Sequence, residues 1–506
     1  MGDTLLISVY STSIPIIILF GLTALYFGFQ ENKLRSDANK SKTLDHFLAA
    51  HRTQPLSRII YSFMSTSLGA WVVFTPASYS LTAGYLGLIS YSISSGITII
   101  IPGIFGPYIR SYSDSLSLND FINNRFGKVA QYYVTLLCLF NMIIGLIAEF
   151  TAIGDLYEKI VGGNRIMIVV LIAVITSIYT AYGGLSVSIK TDQLQGIFVI
   201  LLNIIFAIYM MTTFRLDTSI PLSDNLGANV IGYNSLVAMP LALSGSVVFS
   251  ESFWQKAWAA NNDSDLKKGS IYASILIIVI VFLFGFYGFI AAWAGYTVDD
   301  TNLALFAIFQ NNKDSWILII ICNMAVIMNE SAVDSYQMGI VSSISSCFFK
   351  SKPLWVTQLL VVLINVPIVF LSLENYGIIN LFLSANLITC AASIPLLLGL
   401  NKKLERYYGT VNLIVSTILS IFFAALWGVL ETGDFTAGIN MVFYDCYCWK
   451  SFLICSLGSL LIALLIALIR YKFGFYHEDL EERLIKIESI NREEKKKSGV
   501  QKSNKN

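Results

Sequence analysis

Along ICNMAVIMNESAVDSYQMG, which starts at Ile321, polar residues recur at helical spacing: Asn323, Glu330, Asp334 and Gln337 are seven, four and three positions apart. On a helix that spacing stacks them on one face. The residues around them are apolar enough to lie in a bilayer, and a polar stripe of this kind cannot face lipid. Asp334 lies about 6 Å beyond Glu330 at 1.5 Å per residue, so two carboxyl groups share one buried strip. Burial and like charge both favour a shared proton over two free charges. That is what a proton-coupling site needs; the alternative is a hydrogen-bonded packing seam with Asn329 and neighbouring helices.

Other carboxylates within apolar runs are few, and each costs roughly 2.5–3.5 kcal/mol at mid-bilayer on insertion scales. Glu149 either touches cargo or an ion, or pairs with a polar neighbour inside the bundle. Glu251 stands near Lys256 at the end of its run and is expected to be solvated or salt-bridged. A different signal comes from SRIIYSFMSTSLGAWVVFTPASYSLTAG, residues 57–84, where Ser65, Thr66, Ser67 and Gly69 meet at mid-depth and Pro76 follows. Hydrocarbon offers no partner for a freed backbone group, so a loosened helix there must be buried or line a cavity. Discontinuous helices of this kind supply carbonyls to cations and helix ends to solutes. The alternative is that small residues only let two helices approach closely.

The elements that position these groups are apolar runs of span length, about thirteen of them: 5–29, 57–81, 84–109, 129–155, 163–184, 191–214, 234–255, 270–297, 314–345, 353–373, 376–400, 410–431 and 450–472. With 506 residues, 55% hydrophobic and 13% charged, the chain has too little polar surface for a soluble globule and is a polytopic membrane protein. Loops 30–57, 110–128, 256–269, 346–353 and 401–409, with the tail after Arg470, hold most of the 33 basic residues. The opposite loops hold Lys159, Arg165, Arg215, Lys313 and Lys450. The positive-inside rule then puts the N-terminus outside and the tail in the cytoplasm, as an odd number of spans requires.

A net charge of +1 gives no case for a nucleic-acid partner, and three histidines without an HExxH or CxxC pattern give none for a metal enzyme or a bound cofactor. Cys138, Cys322, Cys390 and Cys455 read as packing residues within spans, and Cys446 and Cys448 are poorly spaced to bridge each other. From Tyr476 the tail reads as a short amphipathic helix with Leu480, Leu484, Ile487 and Ile490 on one side.

YTAYGGLSVSIKTDQLQG at Tyr179 resembles the signature of the sodium/solute symporter family. TLDHFLAAHR at Thr43 is similar to that family's first cytoplasmic loop, SLNDFINNRFG at Ser117 to its loop between spans three and four, and FWQKAWAA at Phe253 to its Gln-Arg-containing seventh-span exit. The resemblance implies an all-α membrane fold with a five-plus-five inverted repeat of LeuT type. Residues 57–400 would form the ten-helix core, with repeats 57–214 and 234–400. An extra span at 1–29, a cytoplasmic loop at 30–56, two peripheral spans within 401–472 and a tail at 473–506 complete the division. The repeat pairs the broken second span with the seventh, where Ser244, Gly245 and Ser246 form the matching weak point.

The same resemblance implies a sodium ion held by the Ser65 and Leu68 carbonyls and by two residues of span nine. Aligning on Asn329 puts Cys322 and Asn323 at those two positions. A thiol is a poor ligand for a hard cation, although an Asn oxygen serves. Asp192 matches a carboxylate on the family's ion-exit path; it could equally cap the start of span six. These readings lead to a secondary active transporter, with sodium or a proton as coupling ion and a small polar solute as cargo. A faint similarity of VVFSESFWQKAWAA to the urea and polyamine branch makes urea the first guess. Gly69, Trp71, Glu149, Ser244, Ser246, Ser384 and Asn386 would border the solute. The alternatives are a non-transporting sensor on the same fold and an uncoupled facilitator. The expected location is the plasma membrane.

Overall fold

The computed structural model describes residues 3–37, 44–111, 117–216, 221–296, 300–309, 315–374, 378–401, 403–445 and 448–473. The Ser384 side chain, Cys446 and the tail from residue 474, with its expected amphipathic helix, lie outside what is described. The described chain is helical throughout. Its first part comprises α1 (Asp3–Asp37), α2 (Leu44–Ala49), α3 (Leu56–Ser67), α4 (Thr75–Ile97), α5 (Ile100–Ser111), α6 (Leu118–Phe126), α7 (Lys128–Asp155), α8 (Arg165–Gly183) and α9 (Leu185–Thr213). The second comprises α10 (Val230–Val248), α11 (Glu251–Ala259), α12 (Asp263–Trp293), α13 (Ser315–Phe348), α14 (Leu354–Ser372), α15 (Ile378–Leu398), α16 (Thr410–Thr432), α17 (Phe435–Phe443) and α18 (Trp449–Phe473). Among the described residues, eleven helices are long and apolar enough to cross a bilayer. Helix is what an apolar run must adopt in hydrocarbon, because it satisfies every backbone group locally. The outer faces are correspondingly greasy: Leu201, Ile204, Ile208 and Met211 of α9 all lie exposed on the bundle's surface.

Two runs are interrupted. The second leaves α-helix after Ser67: Leu68 (φ −101°, ψ 103°) and Gly69 (φ −110°, ψ −170°) are extended. A 3₁₀ turn at Ala70–Val73 follows, and then α4, with Pro76 in its first turn, where a missing N–H costs nothing. Ser65, Thr66 and Ser67, expected at the loosened point, are still helical. At Gly84 (φ +62°) α4 bends into the third run. A Cβ there would come within 2.1 Å of Gly227 O, and Tyr85 N donates to Leu226 O (3.1 Å), so the chain ahead of α10 folds back onto this bend.

The seventh run breaks in a different place from the one expected. Helix α10 continues unbroken through Ser244, Gly245 and Ser246 and ends at Val248; Phe249 and Ser250 are non-helical, and α11 starts at Glu251. The small residues serve close packing instead, since a Cβ on Gly245 would lie 2.5 Å from the Cys390 backbone N of α15. Helix α13 runs through the middle, packed against α1, α3, α7, α8, α9, α11 and α14. Its central window is 83% buried, the highest share among the eleven spanning helices, which is why it can carry a polar stripe.

Candidate functional site

Between the two interrupted runs lies a cleft with a cavity volume of about 110 Å³. Thr66, Ser67, Trp71 and Thr75 of the broken second run line one side. Tyr91, Ser95 and Thr98 of the third, Ser246 of α10, Tyr336 of α13 and Asn386 of α15 line the others. Among the described residues the lining includes no Asp, Glu, Lys, Arg or His side chain. Trp71 meets the edge of Tyr91 at 5.9 Å and Tyr79 lies 5.4 Å from the same ring, which gives the cleft an aromatic wall. Asn386 Oδ1 is buried and has no hydrogen-bond partner among the described residues.

Of the residues expected to border a solute, Trp71, Ser246 and Asn386 do line this cleft, and Ser244 is not among its lining residues. Gly69 backs onto Glu149 instead: a Cβ at Gly69 would sit 1.8 Å from Glu149 Oε1. Glu149 itself is buried behind the broken run, where Oε2 accepts Ala70 N (2.8 Å) and Asn329 Nδ2 (3.1 Å). A 3₁₀ turn that starts in the middle of a membrane has unsatisfied N–H groups, and a carboxylate is a strong acceptor for one of them. Two turns away on α7, Asn141 does the opposite service for the seventh run. Its Nδ2 donates to Ser246 O (3.0 Å) and Phe249 O (3.3 Å), and its Oδ1 accepts from Ser246 Oγ (3.1 Å). One helix therefore holds both breaks.

The carboxylates expected on the ion path come together on α9 and α13. Asp192 is fully buried; Ser62 Oγ donates to its Oδ2 (2.6 Å), Ser331 Oγ to its Oδ1, and Ser65 Oγ to its main-chain O (3.2 Å). Asp334 accepts from Ser188 Oγ (2.9 Å) and Tyr179 OH (3.1 Å). Glu330 is fully buried and neither of its carboxyl oxygens has a hydrogen-bond partner among the described residues. Asp192 is not a cap, since α9 starts seven residues earlier at Leu185; its hydrogen bonds join α3, α9 and α13.

Cys322 and Asn323 do not face the second run. Asn323 Nδ2 donates to Thr12 Oγ1 of α1 (3.0 Å), whereas Ser335, about 18 Å further along α13, shares a 2.9 Å hydrogen bond with Thr66. The residues of α13 turned toward α3 and Asp192 are Ser331 and Ser335. Glu251 is neither solvated nor paired with Lys256: it is fully buried and its two oxygens accept Leu118 N, each at 3.2 Å.

Residues that sequence reasoning missed include Tyr91, Ser95 and Thr98, whose i, i+4, i+7 spacing was a readable polar face. Tyr336 and Asn141 gave no comparable signal, because a lone polar residue within an apolar run does not say which helix it meets.

Comparison with known proteins agrees with this arrangement. A model of the sodium:solute symporter family matches residues 47–351, more than half of the chain. A spermidine transporter of Candida albicans is 28% identical over 438 residues, 84% of each chain. A sodium/glucose cotransporter of Vibrio parahaemolyticus is 24% identical over 276 residues, 48% of each. A probable urea active transporter of Schizosaccharomyces pombe is 20% identical over 270 residues, 49% of this chain and 40% of its own length. The structure of a Na+-coupled sialic acid symporter, substrate-bound and outward-open, superposes with a TM-score of 0.67 at 14% identity, covering 91% of this chain and 98% of that one. That likeness establishes a transporter fold of the LeuT type. With the family match across both helix breaks and the central helix between them, the chain belongs to the sodium:solute symporter family.

Proposed function

We propose that the protein is a secondary active transporter that uses a proton gradient to accumulate a small, uncharged, hydrogen-bonding solute of the urea or amide kind. The observation that carries the solute class is the cleft's lining: hydroxyls, aromatic faces and the unpartnered Asn386 Oδ1, with no charged side chain among the described residues. A polyamine, the cargo named for the Candida albicans relative, would bring several ammonium groups into this cleft. Removing each from water costs several kcal/mol, whereas a cation–π contact with Trp71 or Tyr91 returns about 2 kcal/mol at most. A solute N–H, by contrast, meets a waiting acceptor at Asn386.

Glu330 supports the proton. A buried carboxylate with neither oxygen hydrogen-bonded is tolerated far better as the neutral acid, and its neighbour one turn on, Asp334, already has two donors. Uptake of labelled urea and small amides into proteoliposomes, with proton and sodium gradients imposed separately, tests both parts. Accumulation above equilibrium under an inward proton gradient is the expected result, rising as external pH falls. Glu330→Gln is expected to abolish accumulation while solute exchange persists. Sodium-dependent uptake that ignores pH would overturn proton coupling, and binding without uptake would identify a sensor. In the plasma membrane the basic loops face the cytoplasm, so a cysteine placed at Ser41 should resist labelling from outside intact cells.

A further inference from the structure

The chain between α2 and α3 is bonded to the far end of α11. Four main-chain hydrogen bonds make this strap: Arg52 N donates to Trp258 O (2.9 Å), Thr53 N and Gln54 N to Ala259 O (3.0 and 2.9 Å), and Asn261 N to Gln54 O (3.0 Å). Gln54 and Ala260 thereby form a short parallel β-bridge. Gln255 of α11 adds a side-chain tie, its Nε2 donating to Leu48 O of α2 (3.2 Å) and Met338 O of α13 (3.3 Å). Helix α2 is in turn held from behind. Phe47 packs on Gly184 at the turn between α8 and α9, where φ is +71° and a Cβ would lie 2.7 Å from Phe47 O. Beside it, Glu31 of α1 meets His46 Nε2 (3.1 Å), Lys190 Nζ (2.8 Å) and Ser186 Oγ (2.8 Å).

The backbone entering the strap is strained. Ala50 (φ +43°) and Arg52 (φ +51°) are the only non-glycine residues in the left-handed region among the described residues. That conformation sets Cβ against the following carbonyl, and it persists where surrounding contacts over-determine it. Ala50 is buried, but Arg52 is exposed, and the bonds of its own N–H and of the two N–H groups after it are what fix it. The position of the strap matters to the cleft. Helices α3 and α11 are the halves of the two interrupted runs on the basic-loop side; they pack on each other, and Thr66, Ser67 and Phe253 from them line the cleft. Opening the cleft toward the basic loops requires α3 and α11 to part, and the strap joins the residues just before the one to those at the end of the other.

We propose that residues 52–54 are a strained lock on the basic-loop side of the solute cleft. With the strap made, α3 and α11 are held together and the cleft is closed to that side. When its bonds exchange for bonds to water, Arg52 returns to an ordinary backbone conformation and the two half-helices part. Because α2 is anchored to α1 and to the α8–α9 turn, residues 52–54 are the fixed side and α11 is the side that swings away. One left-handed residue costs about as much as one such hydrogen bond returns, so the strain brings the lock closer to balance. An unstrained strap would keep the cleft shut for longer, and a strap with fewer bonds would leave it open more of the time.

This inference rests on the transport reading above but on neither the solute nor the coupling ion, and its test needs neither. Ser67 lines the cleft, so in Ser67→Cys the thiol is reached from the basic-loop side only when that side opens. Labelling at position 67 by a membrane-impermeant maleimide applied on that side of vesicles, read by peptide mass so that native cysteines do not interfere, measures how often the lock is open. Asn261→Pro removes one strap N–H at an exposed residue, and Ala260 (φ −61°, ψ 135°) already has the backbone that precedes a proline. Labelling is expected to rise about fivefold. Arg52→Gly relieves the strain and should lower labelling about fivefold. Arg52→Ala removes the same charge but keeps the strain, and should label at the parent's rate. Opposite shifts in Asn261→Pro and Arg52→Gly cannot come from a general loosening of the fold. Parent-like labelling in both overturns the lock. Equal losses in Arg52→Ala and Arg52→Gly would assign the effect to charge and overturn the role of strain. A position 67 that is never reached from the basic-loop side, in parent and variants alike, overturns the transport reading and the lock together.

Discussion

Glu149 Oε2 lies 2.8 Å from Ala70 N, so the carboxylate of one uninterrupted helix closes the gap where another has come undone. Asn329 Nδ2 reaches the same oxygen and also the Glu149 carbonyl (2.9 Å), which fixes the acid from the central helix. Removing the carboxyl by Glu149→Ala leaves a buried N–H without an acceptor, at a cost of about 1–3 kcal/mol. A lower unfolding temperature in detergent and reduced membrane abundance are expected. Gly69→Ala should do similar damage by a different route, since the new methyl would occupy the carboxylate's position. Normal stability in both variants would show that the break is held by something else.

Asn141 and Ser246 form a reciprocal pair at the end of α10. Asn141→Leu removes the donor to the Ser246 and Phe249 carbonyls and is expected to reduce both abundance and uptake. In Asn141→Ala, Ser246→Ala and the double variant, losses of stability should be less than additive, because the two residues share one interaction. Simple additivity would mean that each acts alone.

Within the cleft, Asn386→Ala removes an unpartnered acceptor, so folding should be unaffected or slightly improved. The solute KM is expected to rise about tenfold, the equivalent of one hydrogen bond of about 1.4 kcal/mol. Trp71→Phe keeps an aromatic face and should shift KM less than Trp71→Ala. An unchanged KM in Asn386→Ala would remove the amide-type contact from the solute site.

Asp192 joins Ser62, Ser65 and Ser331 across α3, α9 and α13. Asp192→Asn retains one acceptor oxygen and most of the contacts, and is expected to reach the membrane at near-normal levels while uptake slows. Failure of the variant to accumulate in the membrane would assign the residue to structure.

Much of this protein is written in one dimension. An apolar run of about twenty residues has no alternative to helix in a bilayer, so the all-α architecture followed from hydropathy. The break in the second run followed as well, to within a few residues, because Gly69 and Pro76 interrupt a helix whatever surrounds it. The polar stripe of α13 required burial for the same reason. What local sequence could not decide was which face meets which partner. Seven residues of α13 separate Asn323, which meets α1, from Glu330 near Asp334, and no property of the α13 sequence alone distinguishes the end near α1 from the end near α3. The seventh run shows the same limit: its Ser-Gly-Ser triplet suits a break or a tight contact equally, and the Cys390 backbone of α15 decides for contact. Glu149 is the clearest case. A carboxylate at mid-span must have a partner, but only the packing of α7 against the unwound segment makes that partner a backbone N–H and not a solute. Energetic necessity is local and readable; the identity of the group that meets it depends on residues far apart in the chain, brought together by the tertiary fold.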